Sequence, residues 1–247
     1  MYKDEQKRFT PKPLLEIEQE LKLISKNNYP VKRVFLADGD AMSLSVRRLK
    51  EMLELINQYF PKLQRITSYC LPRNLLNKSA SDLKELQELG LKILYVGCET
   101  GDTELLTLVN KGETFESSLN ALQKIKFAGI KSSVMILNGL GGPKHSKQHA
   151  LASAELMNQA QPEYLSTLIL EFPLGSERFE KGMNGEWQAL TKLELFQEMK
   201  LLMESLNLNK TIFRSDHASN HLILKGILGR DKARISQEID LAIASVL

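Results

Sequence analysis

Residues 93–142 read ILYVGCETGDTELLTLVNKGETFESSLNALQKIKFAGIKSSVMILNGLGG, and the hydrophobic period changes twice within them. KILYVGCE (92–99) is a short apolar run of strand length ending in glycine, cysteine and glutamate. DTELLTLVN (102–110) reads as a short helix, and TFESSLNALQKIKFAG (114–129) as a longer one that Gly129 closes. IKSSVMILNGLGGP (130–143) is again a strand, running into a glycine-rich turn. A strand, a helical crossover and a second strand make a parallel pair, because antiparallel neighbours need only a tight turn.

The same alternation extends both ways. Upstream, Leu14, Ile17, Leu21 and Ile24 give a helix over 14–26, VKRVFLADGD a short buried strand, Leu44 to Tyr59 a helix stopped near Pro61, RITSYCL a strand and SASDLKELQELG a helix. Downstream come a helix over 146–158, the strand EYLSTLILEF, a loop or short helix over 175–186, a helix over 191–206, the strand KTIFR and a helix over 231–246. The expected fold is α/β: a partial parallel (β/α)6-type barrel resembling a TIM barrel. Residues 1–207 would form the barrel, and 208–247 a strand and helix packed on it.

Composition sets outer bounds. With 33 basic and 30 acidic residues the net charge is +3, and lysines are interleaved with glutamates, so no basic stripe signals nucleic acid. No apolar run approaches the ~20 residues that cross a bilayer. The opening MYKDEQKRF lacks the order of a signal peptide, and the chain reads as cytoplasmic. Two cysteines, Cys70 and Cys98, read as reduced, buried thiols.

In a parallel α/β barrel the loops after the strands carry the site. Four stretches qualify: ADGDAM, PRN, GCETGD and NGLGGP. Asp38 and Asp40 flank Gly39, where backbone can approach a ligand closely. Glu99 ends a buried strand, so its charge calls for a partner. Gly139, Gly141 and Gly142 open the backbone. Singly, each stretch reads as a turn that needs glycine before a helix that needs an acidic cap. Together at one end of one barrel, they read as one pocket.

Other motifs are absent. GLGGP lacks the lysine and hydroxyl of a phosphate loop, and there is no GxGxxG. His145 and His149 have helical i, i+4 spacing among lysine and glutamine and read as a solvated face. No metal-ligand set is expected, and two cysteines cannot form a four-thiolate iron–sulfur site. FRSDHASNHLILKG (213–226) gathers Arg214, Ser215, His217, Ser219, Asn220 and Lys225 after KTIFR. The plain reading is a tight turn with Ser219 or Asn220 as a helix N-cap.

The run 93–142 resembles the middle of radical S-adenosylmethionine (radical SAM) enzymes. In that family a strand ends in glycine, any residue and glutamate, followed by Ser or Thr and Gly. A short helix then ends in Asn-Lys-Gly, and a long helix leads to a strand with a Gly-Leu-Gly-Gly or Gly-Leu-Pro-Gly turn. LADGDAM resembles the position where many members carry Gly-Gly-Glu. The resemblance extends over nearly the whole chain. It implies a first strand and a CxxxCxxC loop holding a [4Fe-4S] cluster, and Met1-Tyr2-Lys3 matches the residues just after the third cysteine. On this reading the chain lacks that strand and does not ligate the cluster, leaving an open sheet edge and no reductive cleavage of SAM by the chain alone.

The resemblance implies roles. Asp38, Gly39 and Asp40 would hold the amino group of SAM, although DGD departs from Gly-Gly-Glu. Glu99 would reach its ribose or methionine part. Asn138, Gly139, Leu140, Gly141 and Gly142 would pack on the adenine. Lys111 would pair with the SAM carboxylate or cap its helix. Arg214, His217, Ser219 and Asn220 would lie near an unknown substrate, and ferredoxin or flavodoxin would supply electrons to a cluster-bearing form. Two alternatives stand beside this reading. One is a barrel that binds a nucleotide, SAM or a partner without catalysis. The other is a cluster-free α/β barrel lyase, for which Lys92 and Lys131 sit at the wrong ends of their strands.

Overall fold

The computed structural model describes residues 10–27, 30–37, 39–173 and 175–247. Helix α1 (Leu14–Lys26) precedes a sheet of β1 (Arg33–Leu36), β2 (Arg65–Cys70), β3 (Leu91–Glu99), β4 (Lys131–Asn138), β5 (Tyr164–Ile169), β6 (Ile212–Ser215) and β7 (Leu224–Ile227). The strands lie in sequence order; β1 to β6 are parallel, and β7 returns antiparallel on β6. Crossovers are made by α2 (Val46–Tyr59), α3 (Ala80–Glu88), α4 (Thr103–Leu108), α5 (Phe115–Phe127), α6 (Gly142–Ala160), α7 (Glu177–Gly182) and α8 (Lys192–Ser205), and α9 (Lys232–Ala244) follows β7. β1 and β7 do not pair, so the sheet is an unclosed barrel. Among the described residues no helix is long and apolar enough to cross a membrane.

Local chemistry starts the helices where the strands end. Ser79 and Asp82 cap α3 reciprocally, as do Thr114 and Ser117 for α5 and Thr191 and Glu194 for α8. Strand alternation then divides the residues between two faces. Leu94, Val96 and Cys98 of β3 and Val134 and Ile136 of β4 are buried with Leu122, Ile125, Leu156, Met157, Leu202 and Met203 of the helices. Phe213, Leu224, Leu228, Ile235 and Ile239 belong to the same core, so β6, β7 and α9 continue the sheet and its packing. The opposite face is concave and open: Phe35 and Tyr69 are exposed on it.

Three expectations are corrected. No helix follows Ser219 and Asn220; β7 does, and these residues cap nothing. Four residues, LKGI, are too few to show a period. Helix α6 starts at Gly142 rather than Ser146, with Pro143 in its first turn, where proline's missing N–H costs nothing. That shift decides the third point. His145 and His149 are buried, not solvated, with His149 only 1% exposed. They lie on one stripe with Ser153, Leu156 and Ala160, while Lys144, Lys147 and Gln148 line the outer face.

Candidate functional site

The loops after β1, β2 and β3 are tied to one another by side chains. Asp38 lies outside the described residues. Gly39 has φ +139°, a conformation that favours glycine. Asp40 turns the chain: its carbonyl accepts the Ser43 N–H at 2.9 Å and the Ser43 hydroxyl at 2.6 Å. Its carboxylate accepts Asn74 Nδ2 at 2.8 Å, joining the β1 loop to the β2 loop. Arg73, beside Asn74, donates from its backbone to Glu113 at 2.9 Å and from its guanidinium to the Lys111 carbonyl at 2.5 Å, reaching the β3 loop.

Glu99 sits at a bulge where the β3–β4 register shifts, with φ +67°. Its side chain folds back over Gly97: a Cβ there would lie 2.7 Å from Glu99 Oε1. This accounts physically for the glycine-x-glutamate spacing. Lys111 Nζ donates to Glu99 Oε1 at 2.6 Å, so within the chain the lysine pairs with the acid. Both side chains are mostly buried. A half-desolvated carboxylate held by one cation and free at its second oxygen suits hydroxyls or an ammonium.

The turn after β4 is held from behind. The Asn138 side chain faces the helices, with Nδ2 4.0 Å from Met199 Sδ. Gly139, at φ +82°, donates its N–H to Glu198 Oε1 at 2.7 Å. Leu140 is buried in a satellite cluster with Leu105 and Met183, and its carbonyl accepts Trp187 Nε1 at 3.1 Å. Gly141 has no room for a Cβ, which would meet His145 Cβ at 2.7 Å. The Asn138 and Leu140 side chains are therefore turned into the protein, and the turn from Gly139 to Gly142 is itself buried.

Behind it lies a buried polar group that no local sequence pattern announces. Glu198 also accepts the Ser146 hydroxyl at 2.6 Å, and burial pushes its carboxyl up to about 7 against both hydrogen bonds. His149 Nδ1 lies 2.7 Å from Thr100 Oγ1, and burial pushes its imidazole down to about 4 despite nearby Asp102. A neutral His149 makes its 3.9 Å approach to Glu198 a contact rather than an ion pair. Lys78 was equally illegible: buried, its ammonium donates to the carbonyls of Met42 at 2.8 Å and Asn74 at 2.9 Å, and desolvation lowers its pKa.

The residues after β6 do not converge. Ser215 faces the helices, its hydroxyl unpartnered and buried. His217 Nδ1 accepts the Ser219 N–H at 3.1 Å and fixes its own turn. Asn220 accepts the Ile169 N–H at 3.1 Å and donates to the Thr167 carbonyl at 2.8 Å, completing β5 beyond the point where β6 leaves it. Lys225 is paired with Asp216 at 2.9 Å. Arg214 and its register partner Lys225 share the concave face of the sheet.

The model of the radical SAM superfamily matches residues 2–157, more than half of the chain. The chain belongs to the radical SAM superfamily. It is 27% identical over 160 residues to the heme chaperone HemW of Bacillus subtilis (strain 168), a match over 63% of this chain and 42% of HemW. Coproporphyrinogen III oxidase (HemN) from Escherichia coli shares the fold at a TM-score of 0.61 and 18% identity, over 78% of this chain and 45% of HemN. Methylornithine synthase shares it at 0.53 and 15% identity, over 95% of this chain and 62% of that one. The chain thus spans less than two thirds of the length of each.

In radical SAM proteins the iron–sulfur cluster needs thiolates. Cys70 and Cys98, the two cysteines of the sequence, are buried on the helix-facing side, and burial pushes both thiols up. They do not fit a cluster. Among the described residues no group of three His, Cys, Asp or Glu could hold a metal.

Proposed function

We propose that the carboxyl end of this sheet is the SAM site of a radical SAM enzyme core. The observation that carries the reading is Glu99, folded onto Gly97 and held by Lys111 at the mouth of three joined loops. Its free oxygen would accept a ribose hydroxyl or the methionyl ammonium. Gly39 and Asp40 would meet the amino group, and the backbone from Gly139 to Gly141 the adenine, with Glu198 and Trp187 keeping that turn rigid. Bound SAM beside a reduced [4Fe-4S] cluster is a source of hydrogen-atom-abstracting radicals. This chain supplies no thiolates for one, so the cleavage step belongs to a form that carries them, served by a donor such as ferredoxin or flavodoxin.

Calorimetric titration of SAM into the protein tests the reading. Saturable binding that Glu99→Ala weakens at least tenfold is expected. Absence of binding to a folded protein, or indifference to the substitution, would overturn it. The buried thiols also favour a second reading, a barrel that binds SAM without cleaving it. Incubation with dithionite and SAM separates the two: 5′-deoxyadenosine appearing only after cluster-binding cysteines are provided supports the enzyme core, and none under either condition supports the binder.

A further inference from the structure

The concave face of the sheet carries an excess of positive charge. Alternation from the paired registers places Arg33, Arg65, Lys131, Arg214 and Lys225 on it, against two acids among the described residues: Glu99, folded over Gly97, and Asp216, which meets Lys225. Glu99 is taken by Lys111, and Lys225 by Asp216. The side chains of Arg65 and Arg214 have no hydrogen bond or ion pair among the described residues; Asp216, whose pKa the hydrogen bond from Lys225 lowers and Arg214 lowers further, is already held at 2.9 Å by Lys225. Over the whole chain basic and acidic residues are nearly equal, 33 to 30, so this segregation is local.

Between these arginines the face is shaped. A cavity of about 250 Å³ is lined by Arg65, Tyr95, Ser133, Tyr164, Ser166 and Arg214, with no acid in its wall. That is room for roughly eight waters at ~30 Å³ each, enough for an anionic head group but not for a whole drug-sized ligand. Beside it Phe35, Tyr69 and Tyr95 form an aromatic patch, with centroids 4.8 Å apart for Phe35 and Tyr69, 5.6 Å for Phe35 and Tyr95 and 6.2 Å for Tyr69 and Tyr95. Phe35 is 41% and Tyr69 53% exposed, an open apolar surface continuous with the cavity through Tyr95. Glu99, whose side chain folds back over Gly97 onto this face, lies four residues beyond Tyr95, at most about 13 Å at ~3.3 Å per residue.

We infer that this concave face is the substrate cradle, and that the substrate is a small organic anion with an apolar, ring-bearing body. Its carboxylate or phosphate head occupies the cavity against Arg65 and Arg214. The body lies over Tyr95, Tyr69 and Phe35, and its other end extends toward Glu99. Guanidinium forks match either anion, and the aromatic rings offer faces and edges to a ring system. The assignment as substrate rests on the SAM reading; the anion site itself does not.

The test therefore uses the full chain without SAM. Titration with the fluorescent anion 8-anilinonaphthalene-1-sulfonate is followed by displacement with 1-naphthoate, 1-naphthyl phosphate and uncharged 1-naphthalenemethanol. Saturable binding displaced by the anions and not by the alcohol is expected, and the stronger of the two anions identifies the head group. Arg65→Gln and Arg214→Gln should each weaken binding about tenfold, and Arg65→Lys should restore part of it. Replacing Lys144 and Lys147 by Gln, on the outer face of α6, should change nothing. Binding indifferent to both arginines in a protein of unchanged melting temperature, or equal displacement by the alcohol, overturns the proposal. A SAM titration run separately shows whether a failure belongs here or to the SAM site.

Discussion

The Glu99 carboxylate rests on the bare Cα of Gly97, with Oε1 where a Cβ of residue 97 would need to be, 2.7 Å away. Gly97→Ala therefore evicts the far end of a flexible side chain and breaks its contact with Lys111. Both partners remain in the variant and can turn toward water, so neither charge is left buried and unpaired, and the urea midpoint should move little. SAM affinity should nevertheless fall about tenfold or more, because the acceptor is re-aimed. Equal SAM affinity in the variant would disconnect Glu99 from the ligand.

Gly101 receives the opposite expectation from the same substitution. A Cβ there would meet the Ala152 carbonyl oxygen at 2.2 Å and the Ser153 nitrogen at 2.9 Å, both backbone atoms of α6. Neither can swing aside, and the Gly101 N–H donates to Ser153 Oγ at 3.0 Å across the same contact. Gly101→Ala should cost about 3 kcal/mol or more, since the loop and helix must separate. Chemical denaturation measures it; an unchanged midpoint would show that loop and helix leave room for a methyl group.

Trp187 holds the turn after β4 from the side of the satellite cluster, donating to the Leu140 carbonyl and packing edge-on against Phe172 and Phe179. Trp187→Phe keeps much of the packing and removes the donor. A loss of about 1 kcal/mol in stability is expected from the hydrogen bond. A several-fold weaker SAM affinity should accompany it if the turn faces the adenine. Retained affinity with the stability loss would limit Trp187 to holding the fold.

How much of this was legible follows from range. β2 to β5 are apolar runs bounded by turn residues, and the Gly97-x-Glu99 spacing stands in the sequence as a motif. Its reason does not, because it depends on the bulge at Glu99. β7 has no sequence signal, because four residues with a central glycine carry no period; Gly226 is there because α9 packs on it, a Cβ meeting Asp231 and Ile235 at 2.9 Å. The contacts of Gly139 with Glu198 and of Thr100 with His149 join residues 59 and 49 apart. Each partner sits on a helix with ordinary neighbours, and only the placement of α6 and α8 against the sheet makes them one group.

That buried group predicts a pH profile with two hidden slopes. Glu198, raised from 4.5 to about 7, binds a proton in the folded state that the unfolded chain has released, so its contribution to stability falls as pH rises from about 4.5 to 7. His149, lowered from 6.5 to about 4, stays neutral where the unfolded chain is protonated, so its contribution falls as pH drops from about 6.5 to 4. Between about pH 4.5 and 6.5 the two slopes oppose each other at about 1.4 kcal/mol per pH unit each and nearly cancel. The wild-type urea midpoint should show little net dependence on this pair across that window. Glu198→Gln should expose the histidine slope, with stability lost on acidification, and His149→Gln the glutamate slope, with stability lost on alkalinisation. Parallel profiles for the two variants would mean that the groups are not buried in the protonation states the geometry requires.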